Sequence, residues 1–231
     1  MKKTILFFAL ITTLFVYSQD FEGLGIFKLG KFTVSKLDSL SKSNKYQLKE
    51  CDSYDCTNNS NLIELKPNKT ATFKSPTYTS YSDNVKVFQL NKFILNGKYN
   101  NETTTLLFYK DVLYEINIYR PDSKLTDDLK IKYGRGRLDK REGTDRCRLG
   151  GQSFELPSAT YSETWSNTSK NYGMLYMIIS GRQSDCEERI SSALSVYDKS
   201  IKEIASKEST EMKKVLQEKI NQEKKNNLKD L

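Results

Sequence analysis

The chain has 231 residues, with 37 lysines and arginines against 29 acidic residues, four cysteines and no histidine. A net charge of +8 favours long-range attraction to anionic surfaces without specifying a fold. The missing histidine excludes Ser-His-Asp and Cys-His catalysis, histidine metal ligands and the usual proton shuttle near pH 7 within this chain. Carboxylate, tyrosine, lysine or Ser-Lys chemistry remains.

Residues 1–18, MKKTILFFALITTLFVYS, read as a secretory signal peptide. Lys2 and Lys3 form a charged start, residues 5–17 are an apolar run too short to span a bilayer, and Val16-Tyr17-Ser18 supplies the cleavage site. The competing reading, an uncleaved anchor, uses the same run and is short for that role. A lipid anchor needs a cysteine at the cleavage point, and the first cysteine is Cys51. No later apolar run approaches ~18 residues, so no transmembrane segment is expected after cleavage. The expected location is periplasmic or secreted.

Residues 21–31 form a mixed apolar and basic entry segment. Val34, Leu37 and Leu40 recur at helical spacing, and Ser35 with Asp38 fits a capping box, predicting a short helix over about 35–45. Residues 49–61 carry Cys51 and Cys56 in loop chemistry. Residues 62–65 and 70–73 flank Pro67-Asn68-Lys69 as a small hairpin. Residues 85–95 read as one strand or two short ones ending at Asn96-Gly97. Residues 103–109 and 112–119 read as strands joined by Lys110-Asp111. Val112, Tyr114, Ile116 and Ile118 are expected on one face, with Glu115 and Asn117 on the other.

Pro121 ends this antiparallel meander. A helix over about 123–133 follows, terminated by a left-handed Gly134. A basic loop is expected to run to Arg148. A second hairpin pairs residues 159–165 with 172–180. The last element reads as a long helix starting near Ser184 and Glu187, a second capping box, with Ile190, Leu194, Tyr197, Ile201 and Ile204 as its apolar stripe. It is expected to dock as far as about residue 205 and then project. The overall expectation is an α+β protein: residues 19–205 as a single domain with an antiparallel sheet packed by short helices, and residues 206–231 as a charged helical tail.

Four cysteines in an exported chain point to disulfides, with three pairings open. Cys51 and Cys56 can close a small loop, leaving Cys147 and Cys186 to clamp a long segment. A zinc site lacks both C-x-x-C spacing and histidine, so neither metal nor cofactor is expected. Gly25-Ile26-Phe27-Lys28-Leu29-Gly30-Lys31 matches most of a P-loop but fails at Phe32, where a hydroxyl must reach Mg²⁺. The bland reading is an amphipathic strand with two glycine turns.

Three constellations are candidates for function. Lys130, Lys132, Arg135, Arg137, Lys140, Arg141, Arg146 and Arg148 could grip a polyanion such as a lipid headgroup or acidic glycan, or form a solvated loop. Nucleic acid is not expected, because no recognisable binding module frames them. Tyr161, Trp165, Tyr172 and Tyr176 could line a binding face, or serve as core and cross-strand pairs. Glu155 and Glu163 could form a glycosidase pair. The C-terminal helix could pair with a partner helix, though its heptads break at Glu208 and Glu211.

The pattern from Lys31 to Leu40, the turn Phe108-Tyr109-Lys110-Asp111, the helix ending Lys132-Tyr133-Gly134 and the Trp165 hairpin resemble small exported Gram-negative proteins of unknown function. The arrangement is similar, more distantly, to helix-plus-antiparallel-sheet modules of the BLIP-like and outer-membrane assembly lipoprotein kind, without their acylated cysteine. The resemblance covers about residues 28–180 and rests on element order. It implies an envelope location and a protein-binding role, and carries over no catalytic residue. The favoured expectation is a non-enzymatic module contacting an envelope protein or an anionic surface. The alternative is a carboxylate-based hydrolase of an envelope glycan.

Overall fold

The computed structural model describes residues 20–40, 48–51, 62–65, 80–91, 94–167 and 169–227. Residues 1–18, expected to be a signal peptide, Cys56 and the expected strand 70–73 lie outside them. Among the described residues, no helix is long and apolar enough to cross a membrane.

The strands are β1 (Gly23–Leu24), β2 (Phe27–Lys28), β3 (Leu48–Cys51), β4 (Leu62–Leu65), β5 (Val85–Asn91), β6 (Ile94–Leu95), β7 (Tyr99–Asn100), β8 (Thr103–Tyr109), β9 (Val112–Tyr119), β10 (Arg137–Leu149), β11 (Gln152–Asn167), β12 (Tyr172–Arg182) and β13 (Glu188–Asp198). The helices are α1 (Val34–Leu40), α2 (Ser123–Tyr133) and α3 (Lys199–Asn227). Nine strands build one sheet in the order β10-β11-β12-β13-β9-β8-β5-β4-β3. Every neighbouring pair is antiparallel except β3 with β4. The fold is therefore α+β, as the sequence predicts.

Two meanders make the sheet, and β13 joins them by pairing with β9. Local turn chemistry explains the β8-β9 and β10-β11 hairpins. Lys110 and Asp111 both take positive φ, as do Gly150 and Gly151, the backbone that two-residue hairpins need. One sheet face is covered by residues 20–33, α1, the β6-β7 hairpin and α2. Its core unites Phe27, Phe32, Leu37, Phe88, Leu106, Phe108, Leu113, Ile116, Ile118, Leu129, Trp165, Met174 and Val196. The second face carries α3, which packs Ala205 and Ile201 against Val85, Val87, Leu107 and Tyr114.

Several expectations are corrected. First, residues 137–149 are a strand, not a basic loop: they pair with β11 along their whole length, from Arg137↔Thr164 to Leu149↔Gln152. Second, residues 188–198 are a strand, and the last helix begins only at Lys199. Leu194 and Val196 are buried opposite Ile118 and Ile116; Ile190, Leu194 and Val196 alternate on one face, while Tyr197 points to the other face with Glu115 and Gly173. The Ser184–Glu187 stretch is a turn, in which the Asp185 carboxylate accepts from the Glu187 N–H.

Third, β9 does not alternate cleanly. Leu107 pairs with Glu115 and Phe108 with Leu113, so Tyr114 is the extra residue of a β-bulge. The bulge puts Leu113, Ile116 and Ile118 in the main core and sends Tyr114 to the α3 side with Glu115. Fourth, α1 is capped by Thr33, not by the Ser35–Asp38 box: the Lys36 N–H donates to the Thr33 hydroxyl at 3.4 Å. α2 matches its predicted span and is capped by Asp122. Gly134 takes φ 75° and ψ −174°, an extended positive-φ conformation and not the left-handed helical one.

Candidate functional site

β10 to β13 extend past both covering layers as a four-stranded wing. α3 turns back from β13 over β9, β8 and β5, where Lys202 reaches Glu115 at 2.6 Å and Tyr109 reaches Glu208 at 3.0 Å. That path leaves the wing's second face uncovered. On the first face, residues 20–33 and α2 cover only the inner end of the wing, where Trp165, Met174, Leu194 and Val196 are buried in the shared core, and Tyr161, Ile178 and Ile190 lie beyond that cover. β11 pairs with β12 only from Ala159 onward. Just beyond, Pro157 has no N–H to continue the ladder. The β10-β11 tip is tied to the β12-β13 end instead: the Cys147–Cys186 disulfide spans a separation of 39 residues, and the Arg182 N–H donates to the Asp145 carboxylate at 2.8 Å. This is one of the expected pairings. The Cys51 side chain, like Cys56, lies outside the described residues.

Cross-strand register fixes what each wing face presents. On the first face, one row reads Lys140, Tyr161, Ile178, Ser192, and the next Glu142, Ala159, Ser180, Ile190. Leu138 lies on the same face, one row inward. Leu138 is 69%, Ile190 63% and Tyr161 45% exposed. They form, with Ile178, a diagonal apolar string across four strands, whose neighbours on such a ladder lie roughly 5–8 Å apart. On the second face, Leu175, Met177 and Ile179 run down β12 between Thr164, Ser162 and Thr160 on one side and Ser195, Ala193 and Ser191 on the other.

The eight candidate cations do not converge. Lys130 and Lys132 end α2, and Arg135 sits in the connector. Strand alternation sends Lys140, Arg146 and Arg148 to the first face and Arg137 and Arg141 to the second. Several are neutralised locally: Arg141 pairs with Asp139 at 3.2 Å, Arg146 with Glu155 at 2.7 Å and Lys140 with Glu142 at 2.5 Å. The Glu142 hydrogen bond raises the Lys140 ammonium above its ordinary value.

The four candidate aromatics share the first face, and three serve packing. The Trp165 indole donates to the Gly134 carbonyl at 2.9 Å and the Tyr172 hydroxyl to the Leu29 carbonyl at 3.3 Å. Tyr176 packs on the core beneath the Lys130 ammonium. Tyr161 alone of the four stays exposed, with Lys140 over its ring at 5.4 Å.

The two candidate carboxylates are far apart. Glu163 is buried, accepts from the Gly136 N–H at 2.9 Å and pairs with Lys130 at 3.4 Å. Glu155 is exposed on the tip. Eight strand residues separate them by about 26 Å, far beyond the ~5–9.5 Å of glycosidase pairs. The P-loop lookalike is the β1-β2 hairpin followed by a turn at Gly30, without the loop-to-helix junction that phosphate binding needs.

Ile178, Ile179 and Ile190 were not legible as site residues. Their signal is a register across three strands, which no local window contains. No protein-family model matches the chain, and no curated protein or solved structure matches it.

Proposed function

We propose that this chain is an exported, non-enzymatic binding module of the cell envelope or extracellular space, and that its partner is a protein seated on the first face of the wing. The observation that carries the reading is the diagonal string Leu138, Tyr161, Ile178 and Ile190, left open beyond both covering layers and braced by a disulfide. Contiguous apolar surface of this kind marks interaction sites in folded proteins. The edge strand β10 supports face-on docking over strand addition: its outward charges, Arg137 to Arg148, are the usual guard against edge pairing.

The polyanion reading is weaker on geometry, because its cations divide between two faces and several are paired. The glycan-hydrolase reading loses the carboxylate pair on which it rested.

The test is site-specific photo-crosslinking in cells. A photoreactive residue at Ile190 or Tyr161 should yield one discrete protein adduct, and one at exposed Ile94, away from the wing, should not. The exported protein should begin at Gln19. Equal labelling at Ile94 and Ile190 would remove the wing as the interface, and an unprocessed cytosolic product would remove export.

A further inference from the structure

The segment that imitates a P-loop lines a second, separate site. A groove of about 510 Å³ lies on the outer surface of the N-terminal layer, lined by Ile26, Lys28, Lys31, Phe32, Lys36, Ser39 and Leu40. That volume lies within the ~300–1,000 Å³ range of small-ligand sites. Its walls are mainly the apolar side chains of Ile26, Phe32 and Leu40. Among the described residues, its polar side chains are those of Lys28, Lys31, Lys36 and Ser39.

Two devices place those groups. Gly25 takes φ +57°, which closes the β1-β2 turn and leaves Ile26 at its tip, 52% exposed. The Lys36 ammonium donates to the Lys31 carbonyl at 2.9 Å, which holds it at the groove with two donors left over. Lys31 pairs with Glu22 at 3.2 Å, but Glu22 is shared with Lys170, whose hydrogen bond is the larger cause that pulls its carboxyl down to about 2. Among the described residues, no carboxylate lies within ion-pair distance of Lys28 or Lys36. The site thus combines an apolar wall with two cations that have no carboxylate at ion-pair distance among the described residues.

We infer that this groove binds a single anionic amphiphile, a free long-chain carboxylate, with its acyl chain along Ile26, Phe32 and Leu40 and its head between Lys28 and Lys36. A free phosphate would leave the apolar wall wet. An uncharged lipid would leave the ammonium groups unmatched.

The experiment is titration calorimetry of the signal-free protein with sodium oleate below its critical micelle concentration, with oleyl alcohol and inorganic phosphate as controls. Oleate should bind 1:1, weakening as salt rises, and neither control should bind. Lys28→Glu with Lys36→Glu should weaken oleate at least tenfold, and so should Ile26→Asp. Ile26 and both lysines lie at the surface, so unchanged circular dichroism should accompany the loss. Oleate binding unchanged in both variants, equal binding of oleyl alcohol, or binding only to anionic vesicles would each overturn the inference.

Discussion

The Tyr109 hydroxyl on β8 donates to the Glu208 carboxylate on α3 at 3.0 Å. Ser82 and Asn84, just before β5, donate to the other oxygen of the same carboxylate. One residue on, the Ser209 hydroxyl accepts from the Tyr81 N–H at 3.1 Å. α3 is therefore anchored by one carboxylate and one hydroxyl, three and four residues past Ala205, the one buried residue of α3 among those described.

Glu208→Ala should cost about 2 kcal/mol of unfolding free energy, because charge-assisted bonds are replaced by partly solvated donors. The Ser82 hydrogen bond is the first cause holding this carboxyl below its ordinary value of 4.5. A depressed folded pKa means that the stabilisation is whole above the unfolded value and is lost as pH falls through the folded one. In urea titrations the gap between wild type and Glu208→Gln should stay constant down to about pH 5 and close below it. A gap that widens on acidification would contradict this.

The Cys147–Cys186 bridge closes a loop of 39 residues. Chain-entropy reasoning assigns such a loop up to about 4 kcal/mol. Replacing both cysteines by serine should lower Tm by roughly 8–16 °C in a chain of this size. Protease nicking should begin at the β10-β11 tip. Calorimetry and limited proteolysis report the two effects separately.

Gly173 lies beneath the Tyr197 ring, and a Cβ there would sit 2.6 Å from the ring carbon bearing the hydroxyl. The Lys202 ammonium stands over that ring, 4.4 Å from its centroid, and also reaches Glu115. Gly173→Ala should cost about 2 kcal/mol through overpacking. In a Tyr197→Ser background it should be nearly neutral, so a double-mutant cycle should show coupling above ~1 kcal/mol.

Glu163 ties the α2-β10 connector to the sheet through Gly136 and Lys130. Glu163→Ala should cost about 3 kcal/mol, since it strands a peptide N–H and one partner of an ion pair. Glu163→Gln keeps the acceptor and should recover about half. If both variants unfolded at the same urea concentration as wild type, the connector would be held by something else.

Local chemistry was readable wherever it acted alone. Pro121 as a stop, Lys110-Asp111 as a turn and the β-formers of residues 103–119 predict α2, β8 and β9 with their observed limits. Ile190, Leu194, Tyr197 and Ile201 fit a helical spacing, while Ile190, Leu194 and Val196 fit the alternation of a strand, so the local sequence supports both readings. The ladder with β9 and β12 decides, because it buries Leu194 and Val196 against a sheet already formed.

The α+β class, the turns at Asn96-Gly97 and Lys110-Asp111, the second helix and the lack of histidine chemistry are legible in the residues alone, because each depends on chemistry close in the chain. The tertiary structure decided which faces stay open. Strand register set Leu138, Tyr161, Ile178 and Ile190 in one line. The bulge at Tyr114 sent that ring to the α3 side. The β1-β2 turn brought Ile26 and Lys28 to the same groove as Lys36. A surface is a relation between strands and helices distant in sequence, and only packing specifies that relation.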